Sequence, residues 1–424
     1  MEDIIENEEV DTDTVKPEEL EKIFSTKFSL LTEQAVSKSY INKLSCKNSQ
    51  IVLGLSDNSI EVYELTNTSL SKVCRLSGHQ QALTEVVLSP KEDHLVYSCG
   101  NDGLVKLWDT RTSGSCVQEY KGDAEEVTKP YECMDVSCTG RVLCAGSQLV
   151  EDDAYLVFWD QRQPAPLGGY WNTHTDDITQ VKFHEEKPGL LVSGASDSLI
   201  NVFDVREATE DDALQYSLGA ADAVEALRWA GGGAGGGGGA GGARLACVTQ
   251  GGAAQLWDAA AGDLLRTYSR EKIAKAIKRS RGDECYVAGA FRDAAGAPAL
   301  LAGSLAPGGV LRTVLMSDKK LQPCADFKGN RQTVRCCCYL DDRDLLVTAG
   351  EAGVVSVWRG PGADEAQVGA DEAQVGADEA QVGADEAPVG AERAQVGTGR
   401  AQVGAVGSKL ADALRSVHVR HRPY

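Results

Sequence analysis

His79, Ser98 and Asp102 are the three residue types of an acyl-transfer triad, and an aromatic residue, Trp108, follows them. Such a set does chemistry when an imidazole takes the proton of an exposed hydroxyl beside an oxyanion hole. The same spacing returns as His174, Ser193 and Asp197, with Phe203 in the place of Trp108. A catalytic triad occurs once in a chain, whereas a set that recurs along it belongs to the scaffold. The arrangement expected is an imidazole bonded to a turn carboxylate on one side and to a strand hydroxyl on the other. That hydroxyl would reach the indole N–H and satisfy buried polar groups. A hydrolase built on His79, Ser98 and Asp102 is the remote alternative.

Other signatures of catalysis are missing from the sequence. It contains no Gly-Lys dipeptide for a phosphate-binding loop, no HExxH and no GxSxG elbow. The six histidines are dispersed, and the thirteen cysteines form no CxxC pair. In a strand the run Cys336–Cys338 would point its side chains alternately to opposite faces, so a reduced structural role is expected. We therefore expect no enzymatic activity, no cofactor and no metal.

The recurrence extends along the chain. Tyr63, Trp108, Trp159, Phe203, Trp257, Leu315 and Trp358 each close an apolar alternating run, at steps of 45, 51, 44, 54, 58 and 43 residues. Four of the six tryptophans fall on this one position. Asp57-Asn58-Ser59, Asn101-Asp102-Gly103 and Ser196-Asp197-Ser198 are tight-turn sequences, each lying between an apolar strand and an alternating one. A four-stranded unit repeated seven times closes into a ring without long exposed edges. The fold expected is all-β, a seven-bladed β-propeller. Strand signal runs out after Trp358, so Lys27–Glu33 (KFSLLTE) is expected to supply the missing outer strand of the last blade.

The domain plan follows. Residues 1–24 read as an acidic disordered extension and residues 25–361 as the propeller, with a Gly-rich loop insertion at 231–243. Residues 362–407 read as a low-complexity heptad linker and 408–424 as a mildly basic tail. The heptads GADEAQV carry one Val and one Gly each, which cannot make the two-position seam of a coiled coil. Net charge is −21, but residues 1–22 and 362–403 together supply −15 of it. The propeller region has no basic stripe, so direct nucleic-acid binding is not expected. No apolar run approaches the roughly 18 residues of a membrane helix, and the N-terminus is acidic, unlike a signal peptide. A monomeric protein of the cytoplasm or nucleus is expected.

Gly78-His79, the turn aspartates and Trp108-Asp109 resemble the marks of the WD40-repeat family. The likeness covers about residues 50–361, strong in blades two to four and weak in five and six. It implies a platform that binds protein partners through rigid loops. Blade seven departs from the pattern, with Asn330 for the His and Ala352 for the turn Asp, and blade five has Gly251 at that Asp position. In this family the hairpin turns and Gly-His loops share one face. That placement would gather Glu125, Glu126, Glu151, Asp152, Asp176 and Asp177 on the top of blades three and four, as an acidic surface for a basic partner. Arg111, Arg162 and Arg206 would then lie on the bottom face. Trp-Asp-x-Arg is similar to the box by which some family members dock on the adaptor of cullin-4 ubiquitin ligases. That implies substrate-receptor function as the second reading, against local pairing of each arginine with the neighbouring Asp.

Overall fold

Each period of the repeat holds four short runs rich in β-branched, aromatic and leucine residues, and each run becomes a strand. A computed structural model describes residues 10–112, 114–122, 128–230, 243–306 and 309–362. The strands form seven four-stranded antiparallel sheets, ordered around a ring from the innermost strand outward. Blade two is typical, with strands Leu83–Leu88, Leu95–Gly100, Leu104–Asp109 and Cys116–Lys121. The residue after the turn aspartate takes positive φ at Asn58, Gly103 and Ser198. At Gly103 a Cβ would meet Thr128 Cγ2 at 2.6 Å, so glycine answers both the conformation and the space.

The seven closing residues are structurally equivalent. Each lies within the last three residues of the third strand and pairs across to the second: Tyr63 with Ile51, Trp108 with Val96, Trp159 with Leu143, Phe203 with Leu191, Trp257 with Leu245, Leu315 with Ala299 and Trp358 with Leu346. Trp108, Trp159 and Trp358 are almost wholly buried. An aromatic side chain of that size removes about 150–250 Å² from water, or about 4–6 kcal/mol of transfer free energy. At or beside this position the register between third and fourth strands slips by one residue in every blade. Such bulges increase the local twist.

The core is distributed. Among the described residues it forms seven apolar clusters, and each draws on two adjacent blades. No blade therefore buries its own faces, and stability resides in the contacts between neighbours. Ser29–Ala35 pairs antiparallel with Val354–Arg359 and completes blade seven, while Ile41–Lys47 starts blade one. The ring is closed by the N-terminal strand. Residues 231–242 of the Gly-rich insertion lie outside the described residues, between Val224–Ala230 and Arg244–Thr249, the first two strands of blade five.

The N-terminal extension differs from the expectation. Residues 10–24 are not a disordered arm: they lie against blade six, with a helix at Pro17–Ile23 and Phe24 1% exposed. Pro17 starts the helix, where its missing N–H costs nothing, and Leu20 and Phe24 turn inward. Asp11 and Asp13 are neutralised by Arg279 and Arg312. The first nine residues, the heptad linker from residue 363 and the tail at 408–424 lie outside the described residues.

Candidate functional site

In blade two the four side chains come together as a chain of donors and acceptors. Trp108 Nε1–H donates to Ser98 Oγ at 2.8 Å, Ser98 Oγ meets His79 Nε2 at 2.8 Å, and His79 Nδ1 meets Asp102 at 3.0 Å. With the proton on Nδ1, every group in the chain is satisfied. Asp102 also accepts from the backbone N–H of Gln80 and of Leu104. Burial pushes the Asp102 carboxyl up, but the bonds from His79 and Gln80 outweigh it and hold the carboxyl below its ordinary range. The carboxylate thus ties the connection entering the blade to the hairpin turn beside it. Ser98 is fully buried, and its oxygen already accepts from the indole. A hydroxyl so placed cannot reach a substrate carbonyl.

Blade four repeats this geometry without the indole. His174 Nε2 lies 2.7 Å from Ser193 Oγ and its Nδ1 lies 3.0 Å from Asp197, while Phe203 offers no N–H. This difference sets a graded expectation. Ser98→Ala strands the Trp108 N–H and the His79 ring nitrogen, whereas Ser193→Ala strands one ring nitrogen that the Asn201 amide approaches at 3.2 Å. At about 1–3 kcal/mol per buried unsatisfied group, Ser98→Ala is expected to destabilise the more. Chemical denaturation of both variants measures this, and equal losses would contradict it.

The departing blades solve the same problem with other residues. In blade five Trp257 Nε1 donates to Gln255 Oε1 at 3.1 Å, and Asp222 accepts from Gly251 N–H at 2.8 Å, a carboxylate supplied from the incoming connection. In blade seven Trp358 Nε1 donates to Thr348 Oγ1 at 3.0 Å, while Asn330 turns to the carbonyls of Gly309 and Gln332. Blade six has neither the His nor the Trp. There Asp11 accepts from Arg279, from Ser304 Oγ and from the backbone N–H of Ser280 and Arg281. It joins an incoming connection to the end of a second strand, as Asp102 does in blade two, but comes from far away in the chain. Sequence reasoning missed Asp11, Asp222 and Gln255. Among the available signals, the Asp11-x-Asp13 pair beside Pro17 was masked by the surrounding acids.

The acidic residues of blades three and four lie in two loops. Leu149 N–H donates to Asp177 Oδ1 at 2.7 Å, which joins the loop carrying Glu151 and Asp152 to the connection carrying Asp176. Glu151 and Asp152 are exposed, and Asp176 and Asp177 are half-buried. None of these four makes an ion pair among the described residues. Glu125 and Glu126 lie outside those residues.

The three arginines are held by the Asp two residues before each. Arg111 bonds Asp109 through Nε (3.0 Å) and Nη2 (2.7 Å), and Arg162 bonds Asp160 likewise at 2.9 and 2.8 Å. Arg206 bonds Asp204 at 2.8 and 2.5 Å. The guanidinium planes are therefore oriented locally, although the side chains stay about 60% exposed.

Among the described residues no cluster of His, Cys, Asp and Glu could hold a metal ion, and no helix is long and apolar enough to cross a membrane. The seven-bladed ring, the recurring indoles and the His–Asp ties define a β-propeller built of WD-type repeats, an architecture consistent with a protein-interaction scaffold. The family description "WD domain, G-beta repeat" matches residues 70–109 and 321–359. The chain is 28% identical over 185 residues to WD repeat-containing protein 89 homolog of Dictyostelium discoideum, covering 44% of this chain and 47% of that one. It is 24% identical over 212 residues to WD repeat-containing protein GTS1 of Arabidopsis thaliana, covering 49% and 50%. Human Pre-mRNA-processing factor 17 matches at 27% over 153 residues, covering 35% and 24%. The chain spans about half the length, or less, of the curated relatives it matches.

Proposed function

We propose that this propeller is a non-enzymatic scaffold whose upper face, over blades three and four, captures a Lys/Arg-rich segment of a partner protein. The observation that carries this reading is the Leu149–Asp177 hydrogen bond. It gathers two loops whose carboxylates have no cation of their own among the described residues. Rigid loops of one sign raise the local concentration of an oppositely charged segment and hasten its docking. A pre-mRNA-processing factor among the similar proteins is in keeping with the nucleus as one place of action. Ligase-receptor function through Arg111, Arg162 and Arg206 has less support, because each guanidinium fork is already closed on its own aspartate. The hydrolase reading has least, because the hydroxyl it needs is buried.

The test is a titration with a labelled Lys/Arg-rich peptide at low and high salt. The charge-reversed variant Glu151→Lys/Asp152→Lys/Asp176→Lys/Asp177→Lys is expected to bind about tenfold more weakly or worse, with a flattened salt dependence. Arg111→Ala/Arg162→Ala is expected to bind as the wild type does. Equal affinity of the charge-reversed and wild-type proteins would end the proposal. Recovery of a ligase adaptor from cells, lost in the double arginine variant, would favour the second reading.

A further inference from the structure

At the bottom end of the central channel a cavity of about 280 Å³ is lined by Cys46, Cys338, Arg228, Lys182 and His184. Cys46 lies on the innermost strand of blade one and Cys338 on that of blade seven, two strands that pack side by side at the seam where the ring closes. The Cys338 thiol donates to the Cys46 carbonyl oxygen at 3.8 Å, and both side chains line this one cavity. Cys336, on the same side of its strand, packs against Ile41, while Cys337 faces blade six. Arg228 points in from blade five and has no ion pair or hydrogen bond among the described residues.

We infer that Cys46 and Cys338 are a peroxide-oxidisable thiol pair, an unassigned modification site that would clasp blade one to blade seven from inside the ring. The thiols differ in a way that suits the chemistry. Burial pushes the Cys99, Cys133, Cys144 and Cys336 thiols up, as it does in most apolar surroundings. Cys338 moves the other way, downward: the adjoining Cys46 side chain and the Arg228 guanidinium favour its thiolate against burial and the opposing Asp341 carboxylate. Burial first, and then the neighbouring Cys338, push the Cys46 thiol up, so Cys46 keeps its proton. The other charges acting on Arg228 are Glu185 and Asp135. The cavity admits a molecule the size of hydrogen peroxide, although Cys338 is only 7% exposed.

The reaction balances with hydrogen peroxide as oxidant. The Cys338 thiolate attacks one peroxide oxygen, forming an S–O bond and breaking O–O, and the leaving hydroxide takes up the released thiol proton as water. Cys46 sulfur then attacks Cys338 sulfur: S–S forms, S–O breaks, and the departing hydroxide carries off the Cys46 proton as a second water. Two thiols lose two electrons and the peroxide gains them. The bond would join strands at opposite ends of the propeller sequence, just where Ser29–Ala35 joins them from outside.

The full chain treated with dilute hydrogen peroxide and digested without reductant is expected to yield a Cys46–Cys338 cross-linked peptide. Reductant should remove it, and Cys46→Ser and Cys338→Ser should each abolish it. In Cys46→Ser, dimedone is expected to trap a sulfenic acid at Cys338. Arg228→Met is expected to slow cross-linking at neutral pH about tenfold, while Cys99→Ser leaves it unchanged. The inference is overturned if Cys338 bridges another cysteine, or if it reacts no faster than Cys99. It is equally overturned if dimedone leaves Cys338 unlabelled in Cys46→Ser.

Discussion

Removal of residues 1–36 is expected to abolish cooperative unfolding of the propeller, whereas removal of residues 1–27 leaves a folded ring that melts at lower temperature. The longer truncation takes away Ser29–Ala35, and Val354–Arg359 then presents an open edge. Phe28 packs on Phe327 at 5.2 Å, and Leu31 and Val36 cover the cluster shared by blades seven and one. Two of the seven inter-blade clusters are thinned at once. A domain holds a margin of about 5–15 kcal/mol, and a breach of the ring leaves two blades without a neighbour. Thermal melts followed by circular dichroism decide the point. A protein lacking residues 1–36 that melts within a few degrees of full length would show that the outer strand is dispensable.

The second large effect falls on the docked N-terminal segment. Asp11 and Arg279 are both buried, and Asp13 braces Arg279 and Arg312. Asp11→Asn leaves the Arg279 guanidinium buried without its counter-charge, and breaking such a pair costs about 3–5 kcal/mol. Segment 10–24 is therefore expected to come off blade six, seen as fast amide hydrogen exchange over those residues. Glu21→Gln, which removes an exposed partner of Lys328, is expected to leave docking unchanged.

The pH dependence has a definite sign. Burial pushes the Asp11 carboxyl up, but the bonds from Ser304, Arg279, Arg281 and Ser280 prevail and hold it at about 2, below its ordinary 3.8. A depressed carboxyl stabilises the folded state above its ordinary value and loses that contribution as pH falls through the folded value. The stability difference between wild type and Asp11→Asn is thus expected to be full at neutral pH and to shrink between pH 4 and pH 2. A difference that stays constant across that window would contradict the assignment.

The ring was legible in the sequence because its causes are local and repeated. The closing aromatic, the turn Asp and the alternation around them lie within a few residues of one another in each blade. The tetrads of blades two and four follow from the same short spacings. The docked segment was not legible, because Asp11 meets Arg279 268 residues later and its neighbours read as solvated charge. The Cys46–Cys338 contact is hidden for the same reason: ring closure, not proximity in sequence, brings the two strands together. The bulges beside each closing residue were not read from the sequence, although the residue they skip on the outer strand is apolar in six blades, as at Val73, Val117 and Leu167, with Gln215 the exception.

Both faces and the channel between them exist only if the chain's first strand completes its last sheet. Hydrogen exchange read by mass spectrometry over residues 29–35 and 354–359 of the full chain measures this directly. The account predicts that the two segments exchange slowly and lose protection together as denaturant rises. Fast exchange of residues 29–35 while residues 354–359 stay protected would contradict it.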